Sequence, residues 1–470
     1  MLGATGQVVR TGVDDINLAV QAGTRFADII SGNNRFIETD RQLSPESIAL
    51  ANRAVEINGL GGDDVIYGGL QADQLFGGMG DDTIYSFGTQ GLFERIEAGA
   101  GDDEVHAGMV RASDPSSRNF YNANGGDGSD LFDFALASRG VVLRYDRSDD
   151  EVLGFEKGVP GAPVENDALD DAPEDFLLID FERFGGAQAN DAFFLNAAVQ
   201  GFEVHARGGD DSVLGGTSAD SLYGDAGNDA IDAGRGRDTV FGGADTDVLS
   251  GREGNDSLAG GSGLDTLTGG SGADTLTGGT GNDDLTADAG FDLLIGEAGD
   301  DILRGNSGDD SLIGGAGTDL LLGGNNNDTL LGGNNNDTLE GGNQRDSLDG
   351  GAGAEILLGG RGDDTMIGGL GNDTLNGQRG NDDLTGDGGA DVFRFRVNAG
   401  DDVIIDFGLG ADTLELDDAL WPGTLSAADV LDMFGEMTNA GLRLRFEGGE
   451  SIMLAGFFDE TSLVGMIDIA

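Results

Sequence analysis

The chain has 470 residues, of which 87 are acidic and 25 basic, so that its formal net charge is −62. A charge of this sign and size excludes nucleic acid as a natural partner and makes an anionic membrane surface repulsive. The absence of cysteine excludes disulfides and thiolate metal sites, and 87 glycines with only 6% aromatic residues argue against a large conventional core.

The first segment, residues 1–57, lacks the cationic start and apolar core of a secretory signal peptide. Apolar–polar alternation such as INLAV at 16–20 predicts short, irregular β-strands. No run in the chain approaches the roughly 18–20 apolar residues of a membrane-spanning helix. We therefore expect an irregular N-terminal β segment, no usual N-terminal export signal and no transmembrane segment.

Residues 58–134 contain short groups of a nine-residue repeat. Three consecutive units, GLGGDDVIY, GGLQADQLF and GGMGDDTIY, fill residues 59–85, and single units, AGAGDDEVH and GGDGSDLFD, follow. Each unit has a carboxylate at its sixth position. These candidate metal ligands are Asp64, Asp73, Asp82, Asp103 and Asp130.

Residues 135–205 resemble nothing that we can name and are predicted to be an irregular β-helical spacer. Within them, 159–176 carries three of the six prolines of the chain and six acidic residues, which predicts a loop or linker.

Residues 206–394 consist of 21 nonapeptides whose phase never slips. The eighth position is apolar in every unit, the first is Gly or Ala, and the fourth is Gly in 16 units. A period of nine fits neither a helix nor a simple alternating strand, so each unit must turn. Asn326 and Asn335 replace the fourth-position glycine, and Asn is the residue that best tolerates the positive φ of such a turn.

The sixth position of these units is Asp with one exception, Glu355. The fixed carboxylates are our further candidate metal ligands. They are Asp211, Asp220, Asp229, Asp238, Asp247, Asp256, Asp265, Asp274, Asp283, Asp292, Asp301, Asp310, Asp319, Asp328, Asp337, Asp346, Asp364, Asp373, Asp382 and Asp391.

The pattern G-G-x-G-x-D-x-U-x resembles that of the RTX (hemolysin-type) calcium-binding proteins. The resemblance implies an all-β fold, a right-handed parallel β-roll with two nonapeptides per turn. The residue pattern itself predicts one three-residue strand in each unit, with a single inward apolar side chain. The resemblance also implies Ca²⁺ between same-side loops of successive turns, held by loop carbonyls and the sixth-position Asp. Of the 19 such gaps, those near Glu355 and Ala287 are expected to be weak, because the former has a longer side chain and the latter replaces a loop glycine.

Metal binding is also needed on energetic grounds. Each unit buries roughly one Leu, worth about 1.5–3 kcal/mol, whereas ordering its backbone costs on the order of 1 kcal/mol or more per residue. The block carries 36 acidic residues against nine arginines and no lysine. We therefore expect the repeats to be disordered without calcium, and hard oxygen ligands without thiols favour Ca²⁺ over zinc or copper.

The last segment, residues 395–470, changes to the alternating apolar pattern of strands, as in 402–407 and around 447–455. It resembles the C-terminal cap and secretion region of RTX proteins, including serralysin-type proteases. That resemblance implies export by a type I (ABC-transporter) secretion apparatus of Gram-negative bacteria and an extracellular location, with cell-surface association as one alternative.

Searches for catalytic motifs find no H-E-x-x-H, no G-x-S-x-G and no phosphate-binding glycine loop. The two histidines, His106 and His205, are expected to be solvated surface residues. We therefore predict no enzyme, but a secreted calcium-binding structural, matrix, surface-layer-like or adhesive protein, with cell-surface or matrix polysaccharide as one candidate partner. The alternative is a polysaccharide-modifying (epimerase- or lyase-like) enzyme with RTX modules, whose candidate groove residues are Tyr121, Arg144, Tyr145 and Arg147.

Overall fold

The computed structural model describes most of the chain beyond residue 200 and separate segments before it. The described residues are 29–31, 36–38, 56–58, 63, 65–67, 74–86, 93–107, 120–127, 131–133, 141–146, 151–156, 176–179, 183–185, 190–195, 201–408, 411–421, 425–446 and 448–469. Asp64, Asp73, Asp130, Arg147 and residues 159–175 of the predicted loop lie outside them, as do the side chains of Tyr121, Arg144 and Tyr145. The last residue of that predicted loop, Phe176, is instead the first residue of a strand.

The chain divides into two units, residues 1–239 and 240–470. The strands described in the first unit mostly span three to six residues, and two span eight. They are β1 (Ile29–Ser31), β2 (Phe36–Glu38), β3 (Glu56–Asn58), β4 (Val65–Tyr67), β5 (Gln74–Met79), β6 (Thr83–Ser86), β7 (Phe93–Ala100), β8 (Glu104–Ala107), β9 (Phe120–Asp127), β10 (Leu131–Asp133), β11 (Val141–Asp146), β12 (Glu151–Glu156), β13 (Phe176–Ile179), β14 (Arg183–Gly185), β15 (Ala192–Phe194), β16 (Glu203–His205), β17 (Ser212–Leu214), β18 (Ser221–Ala226), β19 (Ala230–Asp232) and β20 (Arg235–Gly236).

The first unit is a parallel solenoid with turns of unequal length. Along β4, β6, β8, β10, β14 and β16, each strand pairs in parallel with the next, and register partners lie 18, 21, 27, 52 and 20 residues apart. A regular nonapeptide pair would give 18 throughout. The longest turn carries an antiparallel hairpin, β11–β12, which adds residues to the rung without breaking the ladder. Turns of unequal length therefore precede the regular repeats.

The strands of the second unit are mostly six or seven residues long in the repeats and three to five residues long after them. They are β21 (Thr239–Ala244, which begins at the last residue of the first unit), β22 (Val248–Gly254), β23 (Ser257–Ser262), β24 (Thr266–Gly272), β25 (Thr275–Thr280), β26 (Asp284–Gly290), β27 (Leu293–Ala298), β28 (Ile302–Ser307), β29 (Ser311–Ala316), β30 (Leu320–Asn325), β31 (Thr329–Asn334), β32 (Thr338–Asn343), β33 (Ser347–Gly353), β34 (Ile356–Arg361), β35 (Thr365–Gly371), β36 (Thr374–Arg379), β37 (Asp383–Gly388), β38 (Val392–Phe395), β39 (Asp401–Ile404), β40 (Thr413–Leu416), β41 (Gly435–Met437), β42 (Gly441–Arg445), β43 (Ser451–Ala455) and β44 (Ile467–Ile469).

In the second unit each repeat strand pairs in parallel with the strand two units later. Leu312 of β29, for example, aligns with Leu330 of β31, and Leu321 of β30 with Leu339 of β32. One turn therefore contains two nonapeptides, and alternate units build opposite sheets. The prediction of a parallel, all-β solenoid of nonapeptide turns is confirmed.

The core of the second unit is a double row of eighth-position side chains. Leu303, Leu312 and Leu321 are fully buried, and so are their equivalents through Phe393. Along each strand, the buried eighth-position side chain is followed two residues later by the first-position residue of the next unit, usually a glycine, which is also buried. Each turn thus buries two large apolar side chains, worth about 1.5–3 kcal/mol each.

The expectation of three-residue strands is wrong for most of this unit, where the strands span six or seven residues. Pairing continues beyond the apolar position. In β29 and β31, for example, Gly315 aligns with Gly333 and Ala316 with Asn334. The chain turns at the second position, where Gly315 has φ 117°, but keeps its backbone pairing with the neighbouring turn, so the turn does not end the strand.

The region after the last repeat extends both sheets and then covers their end. β39 and β40 pair in parallel with the last repeat strands of their sheets, and β43 and β44 pair with β39 and β40. The antiparallel strands β41 and β42 complete the cap. A 3-10 helix (Asp418–Leu420) and the helices α1 (Ala427–Phe434) and α2 (Glu460–Leu463) connect them.

Trp421 is buried in this cap, with ring centroids 6.2 Å from those of both Phe434 and Phe446. Neither helix described in this part of the chain has the length and apolar character required to span a bilayer.

Candidate calcium-binding loops

The sixth-position carboxylates form a regular column along each edge of the second unit. Every one from Asp247 to Asp391 is buried, including Glu355. One oxygen, Oδ1, accepts a hydrogen bond from the backbone N–H of the sixth-position residue one turn earlier, as in Asp292 N to Asp310 Oδ1 at 3.0 Å and Asp310 N to Asp328 Oδ1 at 2.9 Å. Each such hydrogen bond joins two successive turns.

The second oxygen of these carboxylates is buried without a hydrogen-bond partner in the described part of the second unit. This holds for Oδ2 of Asp265, Asp274, Asp283, Asp292, Asp301, Asp310, Asp319, Asp328, Asp337, Asp346, Asp364, Asp373 and Asp382. Oδ2 faces the first-position glycine of its own unit: a Cβ added to Gly332 would lie 2.7 Å from Asp337 Oδ2 and 2.6 Å from the carbonyl oxygen of Gly350. Glycine at the first position thus leaves room for an acidic oxygen beside backbone carbonyls.

Burial without a counter-charge raises the pKa of these carboxyls. Desolvation is the largest cause, opposed by the backbone hydrogen bond and reinforced by neighbouring carboxylates. The pKa of Asp310 rises to about 6, that of Asp328 to about 7 and that of Asp346 to about 8. The fold therefore holds a column of groups whose charged form it does not by itself stabilise.

The positive φ expected at the fourth position is present. Asn326 has φ 83° and Asn335 has φ 76°, and the neighbouring glycines at this position are also in the positive-φ range. The second position also has positive φ: Asn306 and Glu297 occupy it with φ 69° and 74°. The sequence did not indicate this geometry. Two positive-φ residues per unit curl the loop around the space beside Oδ2.

Glu355 interrupts the column. The N–H of Asp319 donates to Asp337 Oδ1, and the N–H of Glu355 donates to Asp373 Oδ1. The bond between these two is missing, because the Glu355 carboxylate does not accept from the N–H of Asp337. Both of its oxygens are buried without a hydrogen-bond partner among the described residues. Burial, followed by the Asp373 carboxyl, raises its pKa to about 8. At Ala287, by contrast, the hydrogen bond from Asp274 N to Asp292 Oδ1 is intact at 2.8 Å.

In the first unit, Asp82, Asp103, Asp211, Asp220, Asp229 and Asp238 are buried in the same way. Asp82 N donates to Asp103 Oδ1, and Asp211 N to Asp229 Oδ1, each at 2.8 Å. Asp220 differs, because its Oδ2 accepts a hydrogen bond from Gly216 N at 2.9 Å. The same carboxylate-to-backbone link therefore joins turns in both units.

Sequence analysis missed three members of these columns. Asp402 accepts from Asp382 N and Asp412 from Asp391 N, at 3.0 and 3.1 Å, and the buried Asp191 donates its N–H to Asp211. Each is followed two residues later by a buried apolar side chain, as in a repeat. That spacing could have identified them without the glycines.

A second column, also missed, lies at the fifth position. Asp and Asn side chains there accept from the backbone N–H of the fifth-position residue one turn later, as in Asn327 N to Asp309 Oδ1 at 3.1 Å and Ala354 N to Asn336 Oδ1 at 2.9 Å. These side chains are exposed. The two columns run in opposite directions along the chain, so each loop is tied to the turn before it and the turn after it.

The histidines are less solvated than expected. His106 stacks on Tyr85 at 4.7 Å and His205 on Tyr223 at 4.3 Å, each beside a Glu on its own strand. Their side chains are 17% and 37% exposed. Both pairs are register neighbours in parallel strands, so stacking across turns explains their partial burial.

The donor set of the loops fits calcium. It offers buried carboxylate oxygens and backbone carbonyls without sulfur, and no three acidic or imidazole side chains converge on one point in the described residues. A calcium ion here would therefore take most of its roughly 6–8 oxygen ligands from backbone carbonyls, with the sixth-position carboxylates supplying the charge.

A search of curated proteins found no match to the chain. The sequence model of the RTX calcium-binding nonapeptide repeat, which spans four copies of the repeat, matches residues 56–84 and, in overlapping windows, all of 205–393. These matches cover the buried carboxylates of the main repeats from Asp211 to Asp391. Residues 56–84 and 205–393 are therefore RTX calcium-binding nonapeptide repeats.

Proposed function

We propose that the protein is a secreted structural or adhesive component that binds many calcium ions and folds when it meets extracellular calcium. The observation that carries this proposal is the column of buried Oδ2 atoms without partners in the second unit. A buried charged oxygen without a partner is costly, and a cation beside it removes that cost. Because the unfolded chain has no such site, the binding free energy becomes folding free energy.

The type of cation follows from the ligands. Ca²⁺ accepts many oxygen ligands in flexible geometry, whereas Mg²⁺ requires a near-octahedral set and retains its water. The chain has only two histidines and no cysteine, so softer metals have no suitable ligand set in the loops. Cytosolic calcium is too low to fill weak sites, which would leave the chain unfolded until export.

We propose further that the cap nucleates this folding and that residues 395–470 direct export through a type I secretion apparatus. The support is that the cap continues both sheets of the solenoid and buries Trp421 in an aromatic cluster. We assign the chain no catalytic role; its part outside the cell would be mechanical or adhesive, with a polysaccharide of the surface or matrix as its partner.

A pair of neighbouring substitutions tests the calcium sites. Asp310→Asn keeps an oxygen to accept the N–H of Asp292 but removes the charge, so it should weaken calcium-induced folding while making the calcium-free fold no less stable. Asp309→Asn makes the same charge change on an exposed side chain and should alter neither.

The measurement is calorimetric calcium titration together with β-sheet circular dichroism and Trp421 fluorescence. We expect many ions per chain, a joint steep transition at about 10⁻⁴–10⁻³ M calcium and full reversal by chelator. A count of one or two ions, or equal effects of the two substitutions, would overturn the assignment of these loops.

Export is tested separately in a Gram-negative host that carries a type I apparatus. Deleting 395–470 should abolish export and raise the calcium concentration needed for folding. Export of the truncated chain would remove the secretion role from this segment while leaving the calcium sites untouched.

A further inference from the structure

The C-terminal cap contains a cavity of about 350 Å³ that the calcium loops do not use. It lies on one face of the three neighbouring strands β39, β43 and β42. Register aligns Asp401 with Ser451 and Ser451 with Arg445, and in the next row Val403 with Met453 and Met453 with Arg443. These six side chains share a face because alternate residues of paired strands point the same way. All six line the cavity.

The two arginines of the cavity have no partners among the residues that the structure describes. Within the described residues neither Arg443 nor Arg445 forms an ion pair or a side-chain hydrogen bond, and Nε of Arg443 is buried unpaired. Arg345 pairs with Asp363 and Arg394 with Glu415, but the exposed Arg361 and Arg379 pair with no described residue either. What distinguishes Arg443 is that its unpaired Nε is buried.

The nearby carboxylates are engaged elsewhere. Asp401 accepts a hydrogen bond from the Ser451 hydroxyl at 2.7 Å, and Asp402 accepts from the backbone N–H of Asp382. Glu450 accepts from Asn398 N at 3.0 Å. Glu436 is the register neighbour of Arg443 on β41, yet the two form no ion pair.

We propose that this cavity binds a small ligand that carries a carboxylate and a hydroxyl group, the chemistry shared by uronate sugars and free hydroxy acids. The ligand carboxylate pairs with the guanidinium groups of Arg443 and Arg445, whose planar forks match two carboxylate oxygens. Its hydroxyl donates to Asp401, and its apolar edge packs on Met453. The volume lies at the lower end of the roughly 300–1,000 Å³ of small-molecule sites.

The test is calorimetry of the full chain in saturating calcium with three probes: galacturonate, trigalacturonate and glycolate. Galactose, which lacks the carboxylate, is the uncharged control. We expect saturable binding of the acids and none of galactose. Tighter binding of trigalacturonate than of glycolate identifies polysaccharide as the source, and the reverse order identifies a free hydroxy acid; either order supports the site.

The double variant R443Q/R445Q should weaken acid binding at least tenfold. Its matched control is R361Q/R379Q, which removes two exposed arginines that are register neighbours at a solenoid edge and carry the same charge change. Calcium-dependent circular dichroism checks that each variant folds. If the double variant fails to fold, R445Q alone, at an exposed side chain, should still weaken binding. Equal binding by the cavity and control variants, binding of galactose, or no saturable binding of any acid would overturn the proposal.

Discussion

Restoring aspartate at position 355 should repair the one break in the carboxylate column of the second unit. In the native chain the N–H of Asp337 does not donate to the Glu355 carboxylate, although N–H groups at equivalent positions donate to Oδ1 at 2.8–2.9 Å. The extra methylene of Glu is the physical cause: its Cγ would lie 2.8 Å from a Cβ added to Gly350, in the space where an Asp places its oxygens. Glu355→Asp should therefore bring an oxygen to Asp337 N.

A hydrogen bond to a charged group contributes about 1.5–3 kcal/mol. If that amount opposes local opening, exchange of the Asp337 amide hydrogen should slow by about 10- to 100-fold, since roughly 1.4 kcal/mol corresponds to a factor of ten. Hydrogen exchange resolved by NMR or by mass spectrometry of short peptides, in saturating calcium, measures this rate directly. The calcium midpoint should also fall, because the repaired carboxylate is correctly placed for its loop.

The reciprocal change provides the control. Asp310→Glu introduces the same extra methylene into an intact part of the column and should release the amide of Asp292, which now donates to Asp310 at 3.0 Å. The two variants should therefore shift exchange in opposite directions, each at one amide. If Glu355→Asp leaves the Asp337 amide unchanged while Asp310→Glu accelerates that of Asp292, side-chain length is not the cause of the break.

Three further predictions concern the pH response, the core and the loop backbone. With chelator present, the chain should gain β-sheet circular dichroism on acidification from pH 8 to pH 5. The pKa values of the buried carboxyls, about 6 to 8 in the folded state, exceed the unfolded value of about 3.9, so the stability gained from their protonation is fully present below about pH 4 and is lost as pH rises through the folded values. A flat response would contradict the raised pKa values. In saturating calcium, Leu321→Ala should lower the free energy of unfolding by about 2–5 kcal/mol in a urea titration, whereas Leu322→Ala, next to it on the outer face, should cost far less; similar losses would mean that the eighth-position row is not the core. Asn326→Ala should destabilise by about 1 kcal/mol and Asn326→Gly should not, because φ is 83° there; equal stabilities would show that the loop relaxes in solution.

The period of nine by itself determined the solenoid. Each unit has an apolar residue at its eighth position and a carboxylate at its sixth. The local sequence therefore predicts both which side chain points inward and where the loop lies. The positive φ at Asn326 and Asn335 followed from the residue type alone. Glu355 was recognisable as a defect for the same reason, since one methylene too many is visible in the sequence.

Only the tertiary structure decided which backbone N–H groups donate to the carboxylates and at which residues the columns end. Each link joins residues 18 or more positions apart, and its direction depends on how one turn lies on the next. Asp402 and Asp412 join the columns because the cap strands continue the sheets, not because they stand in a repeat. Arg443 and Arg445 face Asp401 across three strands only because β43 returns some 50 residues later to pair with β39. Such register is set by packing between distant strands, which no local pattern in the chain records.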